Sequence, residues 1–147
     1  MILIDANVLL YAYNSSAPDH QRARTWLEQT FAEEGDVRID LVTLLAFVRI
    51  ATNPAVFARP MTVDEAIAIV EAWLALPNVS VAQPTTSHWS ALADVARAGQ
   101  VRGPDVMDAH LAALAIQSGA TLCTTDRGFA RFDGLKRLNP LTVPSSG

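Results

Sequence analysis

The stretch MILIDANVLLYAY, residues 1–13, decides the fold more than any other part of the chain. Its first four residues are apolar without alternation, which is typical of a strand buried on both faces of a parallel sheet. Asp5 ends this run, and the following residues are mostly apolar again. The stretch therefore predicts a buried strand, Met1 to Ile4, that leads directly into a helix, Ala6 to Tyr13, with a carboxylate at the junction.

The rest of the chain continues this alternation of short apolar strands and amphipathic helices. Further strands are predicted over residues 37–40, 79–82, 121–124 and, at an edge, 135–138. Helices are predicted over 19–34, 44–50, 62–76, 87–98 and 105–118, the third of them opened by a capping box from Thr62 to Glu65. Because such helices connect parallel strands, the predicted fold class is α/β, a three-layer α/β/α sandwich around a central parallel sheet.

Composition limits the possible classes of protein. Among the 147 residues 50% are hydrophobic and 18% charged, which is enough apolar surface for one core and excludes disorder. We predict a single domain over residues 1–142 and a loose C-terminal tail over 143–147. The only cysteine, Cys123, excludes an internal disulfide and a thiolate zinc site. Residues 1–13 are too short to cross a bilayer and lack a secretory signal's basic flank, so we expect a cytoplasmic protein without membrane contact.

The charge of the chain bears on nucleic acid binding. A net charge of -4 argues against a protein that coats nucleic acid with basic residues. It does not exclude a metal-dependent nuclease, because divalent ions neutralise an acidic site locally.

Three aspartates fall where the loops of such a sheet converge. Asp5 follows the first strand, Asp126 follows the strand at 121–124, and Asp108 lies in the first turn of the helix that enters that strand. Because the carboxyl ends of parallel strands meet at one edge, we expect these side chains to share a pocket. Clustered carboxylates suit hard ions such as Mg²⁺ or Mn²⁺, and this pattern predicts metal-assisted phosphoryl chemistry.

Each of these acids also has a purely structural interpretation. Asp5 could cap the helix that follows it, and Asp126 could cap the turn at 126–129. Asp105 and Asp108 could occupy the N-cap and N3 positions of their helix. Other chemistries find less support, because the sequence has no G-x-S-x-G elbow, no G-x-G-x-x-G loop and no Walker loop. The three histidines fall in helical contexts without a matching nucleophile, which favours packing or surface roles (His20, His88 and His110).

Four motifs resemble one known family. They are MILIDANVLLYA at 1–12, LLAFVRIATNP at 44–54, DAHLAALA at 108–115 and TTDRGFARF at 124–132. Together they resemble the PIN-domain ribonuclease toxins of the VapC family, and they span nearly the whole chain. The resemblance implies a PIN fold with a central parallel sheet, a Mg²⁺- or Mn²⁺-dependent endoribonuclease, and a VapB-type antitoxin that blocks it. Asp5, Asp108 and Asp126 stand at three acidic positions of the family motif, and Asn7 stands at its small polar position.

One position departs from the family pattern. Many members carry a glutamate in the helix after the second strand, and Ala46 stands there in this chain. The metal site is then weaker or completed by another acid. Asp105, one helical turn before Asp108, is the best substitute, and Asp40 at the end of the second strand is another, with a helix cap as its alternative role.

The function we predict is hydrolysis of an RNA phosphodiester, with one or two divalent ions coordinated by Asp5, Asp108 and Asp126. Asn7 would orient water or a ligand carboxylate. Arg49 and Arg127 are the arginines nearest the motifs and could contact phosphate, although an ion pair with an acidic neighbour would explain them equally well.

Two other functions stay open at this point. One is an inactive PIN scaffold that binds RNA or protein without cleavage, which Ala46 favours. The other is a small-molecule phosphohydrolase, although the chain lacks the paired Asp-x-Asp motif that such enzymes often show.

The expected partners follow from the resemblance. They are an RNA substrate of the tRNA or rRNA class, an antitoxin whose basic side chain reaches the acidic pocket, and a second copy of the chain. We expect the homodimer to use an exposed apolar patch on the helix at 6–13 or the helix at 41–51.

Overall fold

The computed structural model describes residues 1–33 and 35–142, and the predicted tail at 143–147 lies outside this part of the chain. Its strands are short and alternate with helices along the chain. The strands are β1 (Ile2–Ile4), β2 (Val37–Ile39), β3 (Val79–Val81), β4 (Thr121–Cys123) and β5 (Lys136–Leu138). The helices are α1 (Ala6–Tyr13), α2 (His20–Ala32), α3 (Leu41–Ala51), α4 (Val63–Leu74), α5 (His88–Ala98) and α6 (Asp105–Ser118), with a 3₁₀ helix at Arg127–Arg131.

The five strands form one sheet in the order β3-β2-β1-β4-β5, and all neighbouring pairs are parallel. In the centre, Ile4 of β1 is in register with Cys123 of β4. Parallel pairing places the carboxyl ends of all five strands at the same edge of the sheet. The predicted parallel α/β architecture and the predicted edge strand are therefore confirmed.

Two apolar clusters lie on opposite faces of the sheet, because successive side chains of a strand point to opposite sides. Ile4 belongs to the first cluster, which it shares with residues of α1 to α4 such as Phe47 and Trp73. Leu3 belongs to the second cluster, which is built mainly on α6 and the 3₁₀ helix. The sheet thus forms the middle of three layers.

Local signals in the sequence set several helix ends. The predicted capping box is present, since the Thr62 hydroxyl accepts from the Glu65 N–H at 3.1 Å and the Glu65 carboxylate accepts from the Thr62 N–H at 3.2 Å. Gly119 ends α6 in the left-handed conformation, at φ 70°. No helix in the described ranges is both long enough and apolar enough to cross a bilayer.

The predicted helix at 105–118 is confirmed with the same bounds as α6, but its two aspartates do not occupy the capping positions that their structural interpretation gave them. The N-cap residue is Pro104, so Asp105 is the first helical residue and Asp108 the fourth. The predicted N-cap and N3 assignments are wrong. The reason is that the Asp105 carboxylate is engaged by Arg131 of the 3₁₀ helix instead of a backbone N–H of its own helix.

Candidate active site

The central strands β1 and β4 bring two of the predicted acids to the same edge of the sheet. Asp5 follows β1 directly, and its N–H donates to the Cys123 carbonyl at 3.0 Å, which extends the pairing of the two strands by one residue. Asp126 lies three residues beyond the end of β4. Both carboxylates therefore stand at the carboxyl edge, as the parallel topology predicts.

A buried hydroxyl connects these two aspartates. Thr124, which is only 4% exposed, donates its hydroxyl to Asp5 Oδ2 at 2.8 Å and accepts from the Asp126 N–H at 3.0 Å. Sequence reasoning missed this residue. Its signal was a threonine at the last position before the loop that carries Asp126, where a hydroxyl can bond to a side chain on the neighbouring strand.

Both aspartates are also helix caps. Asp5 Oδ1 accepts from the Ala6 N–H at 2.8 Å and caps α1, and Asp126 Oδ1 accepts from the Gly128 N–H at 2.8 Å and caps the 3₁₀ helix. The structural interpretation of these acids is thus correct. It does not compete with a binding role, because an ionised carboxylate has about four lone-pair positions and each cap uses one of them.

Asp108 is the third acid, and its electrostatics locate it beside the other two. Burial, and after it the negative charges of Asp126, Asp5 and Asp105, raise the pKa of its carboxyl to about 6, against a lowering by Arg131. The pKa of Asp5 is also raised, by burial first and by Asp126 last, while its hydrogen bonds from Thr124 and Ala6 lower it. We call Asp5, Asp108 and Asp126 the carboxylate cluster. Their charges repel one another, so the cluster favours a bound cation.

Asp105 lies close enough to act on the Asp108 carboxyl, but it already has a partner. Its Oδ2 accepts from Arg131 Nη1 at 3.0 Å, and both side chains are more than a third exposed. An exposed pair of this kind contributes about 0 to 1 kcal/mol to folding. Arg131, which the sequence did not single out, is close enough to the carboxylate cluster to lower the pKa of Asp108.

Asp40, the other substitute for the missing glutamate, belongs to a different group of side chains. It caps α3 through the Val42 N–H at 3.2 Å, and its Oδ2 also pairs with His110 Nε2 at 2.9 Å. His110 Nδ1 lies 2.9 Å from His88 Nε2, and His88 Nδ1 lies 3.1 Å from Gln117 Oε1. We call these four residues the histidine cluster.

The histidine cluster decides between the two roles that the sequence left to Asp40. Asp40 is 4% exposed, and it is not among the charges that act on Asp108 or Asp5. The capping role is therefore confirmed, and Asp40 belongs to the histidine cluster and not to the carboxylate cluster. Ala46 itself lies half-buried in α3 and supplies no polar group.

The remaining predicted residues lie at different distances from the cluster. Asn7 is close, since its Oδ1 accepts from the Thr125 N–H at 3.4 Å and so links α1 to the loop that carries Asp126. Arg127 directly follows Asp126 and is exposed. Arg49 lies in the last turn of α3, about 12 Å of helix rise from the edge at Leu41, and it does not act on either raised carboxyl. Within the described ranges neither arginine forms the ion pair that would have explained it.

The family model of the PIN domain matches residues 2–135. This chain belongs to the PIN-domain family. Within that family, this chain is 39% identical over 136 residues to Ribonuclease VapC37 of Mycobacterium tuberculosis, and the match covers 92% of this chain and 94% of the relative. It is 36% identical over 141 residues to VapC ribonuclease Mb2897 of Mycobacterium bovis, covering 96% of each. The resemblance to VapC ribonucleases is thereby confirmed.

Solved structures agree with the fold. VapBC2 of Rickettsia felis, bound to a DNA fragment from its promoter, matches with a TM-score of 0.68 at 16% identity and covers 95% of this chain and 98% of its own. VapC20 of Mycobacterium tuberculosis, a sarcin-ricin loop cleaving toxin, matches with a TM-score of 0.66 at 16% identity and covers 92% and 99%. At this level of identity the likeness shows a shared PIN fold, and the chemistry has to be argued from the residues of this chain.

Proposed function

We propose that this PIN domain, taken as one domain over residues 1–142, is the ribonuclease toxin of a toxin–antitoxin pair. It hydrolyses RNA phosphodiester bonds with a divalent cation, Mg²⁺ or Mn²⁺, bound by Asp5, Asp108 and Asp126. The observation that carries the proposal is that Thr124 joins Asp5 and Asp126 at the carboxyl edge of the sheet, where the charges of both also act on Asp108. Three carboxylates placed in this way repel one another until a cation joins them. The sequence identity of 39% and 36% with two VapC ribonucleases, over nearly the whole chain, supports the same function.

The donor chemistry of the carboxylate cluster fits such an ion. Mg²⁺ and Mn²⁺ prefer oxygen ligands, and the cluster offers only carboxylate oxygens. Over residues 1–33 and 35–142, no three acidic, histidine or cysteine side chains converge tightly enough to surround an ion as they stand. Asp5 accepts hydrogen bonds from the Ala6 N–H and the Thr124 hydroxyl, and Asp126 accepts one from the Gly128 N–H. Ion binding in this proposal therefore requires Asp108 and Asp126 to turn towards Asp5.

Each residue then has a defined task. Asp5 is the fixed ligand, because hydrogen bonds from the Ala6 N–H and the Thr124 hydroxyl hold both of its oxygens in place. Thr124 also ties the loop of Asp126 to Asp5, and Asn7 holds the same loop through Thr125. Asp105 adds negative charge while it holds Arg131 beside the cluster. When bound, the ion would activate water for attack and stabilise charge on the phosphodiester.

The substrate is an RNA of the structured class, tRNA or rRNA, in this proposal. A chain of net charge -4 gains little from general attraction to RNA, so the bound cation and local arginines have to receive the phosphates. Folded RNA is recognised by shape and by unstacked bases, which no linear motif encodes. One solved neighbour of the same fold is described as cleaving the sarcin-ricin loop, which is consistent with this class for the family.

The partner that controls the enzyme is a VapB-like antitoxin. Several neighbours in fold were solved as complexes of VapC with VapB. The carboxylate cluster offers such a partner an acidic target, and an arginine or lysine placed there would take the position of the metal ion. A saturated complex should therefore be silent towards RNA, and undiminished cleavage by that complex would overturn the toxin assignment while leaving the nuclease assignment standing.

A second copy of the chain would bind through α3 in this proposal. Of the two helices that the sequence offered, α1 has no exposed residue, whereas Leu41 and Leu45 of α3 are 57% and 60% exposed. Two large apolar side chains one helical turn apart form a patch that a dimer would bury. Light scattering at micromolar concentration tests this, and a strict monomer would contradict it.

The test of the main proposal uses the purified protein, structured RNA, and either Mn²⁺ or EDTA. We expect cleavage with Mn²⁺ and none with EDTA. Asp126→Asn should lose cleavage, whereas Asp133→Asn, which removes an exposed carboxylate seven residues along the chain, should not. RNA binding without cleavage under both conditions would overturn the proposal and favour the inactive scaffold that Ala46 suggests.

A further inference from the structure

An open cavity of about 320 Å³ adjoins the carboxylate cluster on the side of the edge strand β5. It shares Asp126 with the cluster and is lined by Thr124, Thr125, Asp126, Arg127, Leu135, Arg137, Leu138 and Asn139. Resting on the function proposed above, we propose that this cavity binds a phosphate of the RNA strand next to the bond that is cut. The two ligands that define it are Arg127 and Arg137.

The strand topology explains why Arg127 and Arg137 line the same cavity. The Thr124 N–H donates to the Leu138 carbonyl at 3.0 Å, which extends the pairing of β4 with β5 up to the carboxyl edge. Arg137 stands in the middle of β5, and Arg127 begins the 3₁₀ helix that follows β4. The cavity therefore lies between the loop of Asp126 and the last strand of the sheet.

The charges in this cavity favour an anion. Four other arginines of the chain are paired with acids: Arg24 with Glu28, Arg38 with Asp36, Arg97 with Asp94 and Arg131 with Asp105. Arg127 and Arg137 form no ion pair in the part of the chain that the structure describes, and both are exposed. Two guanidinium groups on one open cavity can bind a phosphate through parallel N–H donors.

The polar lining also suits a nucleotide. The Asn139 Oδ1 accepts from the Leu141 N–H at 3.0 Å, which directs the amide oxygen to the backbone and leaves the amide N–H groups as donors. The Thr125 hydroxyl adds a further polar group. A volume of about 320 Å³ is at the small end of ligand sites, so it fits one nucleotide and not a helical segment.

A larger cavity elsewhere in the molecule does not compete for this role. It has a volume of about 690 Å³ and lies at the amino-terminal ends of β2 and β3, where its charged lining residues are Glu33 and Asp36. Asp36 is paired with Arg38, Glu33 adds a negative charge, and no basic side chain among the described lining residues offers donors to a phosphate. The cavity at Arg127 and Arg137 is smaller but has the right sign of charge and adjoins the carboxylate cluster.

The experiment measures RNA binding separately from cleavage. Wild type, Arg127→Gln and Arg137→Gln are titrated with a fluorescent structured RNA in EDTA, where no cut is made, and then assayed with Mn²⁺. Lys136→Gln is the matched control, because it removes the same charge from the neighbouring residue of β5, whose side chain points to the opposite face of the strand. Thermal melting checks that all four proteins are folded.

We expect each arginine variant to weaken RNA binding in EDTA by about tenfold. The slope of log Kd against log salt should fall by about 1 for each phosphate that the variant no longer binds. With Mn²⁺ the variants should raise KM more than they lower kcat, and Lys136→Gln should behave as the wild type does.

Two results would overturn the subsite. One is wild-type binding by both arginine variants, and the other is an equal loss in Lys136→Gln, which would indicate a general effect of charge. If the wild type itself makes no cut with Mn²⁺, the proposed nuclease function fails, whatever the arginine variants bind. If it cuts and the arginine variants bind and cut as well as it does, only the subsite fails.

Discussion

The carboxylate cluster and the histidine cluster stand at the same edge of the sheet, yet their charges are balanced in different ways. In the histidine cluster Asp40 faces His110, His110 faces His88, and His88 faces Gln117, all at hydrogen-bonding distance. In the carboxylate cluster burial and like charges raise the pKa of Asp108 to about 6, and Arg131, which lowers this pKa, is paired with Asp105.

This difference separates a structural polar group from the proposed binding site. Buried side-chain nitrogen and oxygen atoms in the described residues all have hydrogen-bond partners, so the fold tolerates polar side chains where they are satisfied internally. In the carboxylate cluster three negative charges lie close together, and those of Asp5 and Asp126 act on Asp108. Like charges held close together without a bound cation destabilise the folded protein, and several substitutions test this.

The largest effect is expected for Asp5→Asn. Cleavage should fall by at least about a hundredfold, which is the upper limit for loss of a mere supporting group around a metal. Asparagine keeps an oxygen for the Ala6 N–H and removes one of the repelling charges, so the melting temperature in EDTA should be equal or higher.

Asp5→Ala is the matched comparison for that variant. It loses the cap of α1 as well as the charge, which costs about 1 kcal/mol of folding free energy. Equal destabilisation of both variants in EDTA, with cleavage retained, would reduce Asp5 to a helix cap.

The histidine cluster should respond in the opposite way. His110→Ala leaves the buried Asp40 carboxylate with only the Val42 N–H, which should cost about 2 kcal/mol in urea unfolding. Mn²⁺ binding should remain. In a double-mutant cycle with Asp40→Asn, the double variant should lose less than the sum of the single losses. Loss of Mn²⁺ binding in folded His110→Ala would erase the distinction between the two clusters.

Removing the Thr124 hydroxyl should reduce cleavage less than Asp5→Asn does, and should reduce stability less than His110→Ala does. Thr124→Val keeps the shape of the side chain but leaves Asp5 Oδ2 and the Asp126 N–H without their shared partner. We expect a loss of about 1 kcal/mol in stability and of about tenfold in cleavage. Thr121→Val, at the start of the same strand, is the control, and an equal loss of cleavage there would contradict a specific role for Thr124.

The smallest expected effect is on the pH dependence of stability without metal. Asp108 has an ordinary pKa of 3.8 when unfolded and about 6 when folded, so between these values the unfolded state loses its proton first. Ionisation then favours unfolding, and this destabilisation grows as the pH rises from about 4 through 6. Asp108→Asn removes it.

The measurement for that prediction is a difference in melting temperature in EDTA. The value for Asp108→Asn minus that for the wild type should increase from pH 4 to pH 7 and should shrink when Mn²⁺ is added. A difference that is independent of pH would mean that neither burial nor the neighbouring carboxylates raise the pKa of Asp108.

The sequence predicts the part of this site that the topology determines. A buried strand that ends in Asp5, and a second strand followed by Asp126, must meet at one edge if the sheet is parallel. What the sequence could not supply are contacts between distant side chains. Thr124 and Asp5 are 119 residues apart, Asp105 and Arg131 are 26 apart, and Asp40 and His110 are 70 apart.

Such contacts depend on rotamers and on how helices pack, which hydrophobic periodicity does not determine. For the same reason the sequence offered Asp105 as the best substitute for the glutamate missing at Ala46 and Asp40 as a second one, and only the structure shows that each is paired with a basic side chain. The cavity beside β5 also needed the structure, because it depends on the position of an edge strand relative to a loop.

The most direct test of the proposed metal site is a titration of Mn²⁺ into RNA-free protein. Electron paramagnetic resonance measures the free ion at each step. We predict saturable binding of one or two ions by the wild type and by Asp133→Asn, and loss of that binding in Asp5→Asn, Asp108→Asn and Asp126→Asn. Unsaturable binding in the wild type, or equal binding in the three cluster variants, would contradict the claim that these carboxylates hold the catalytic ion.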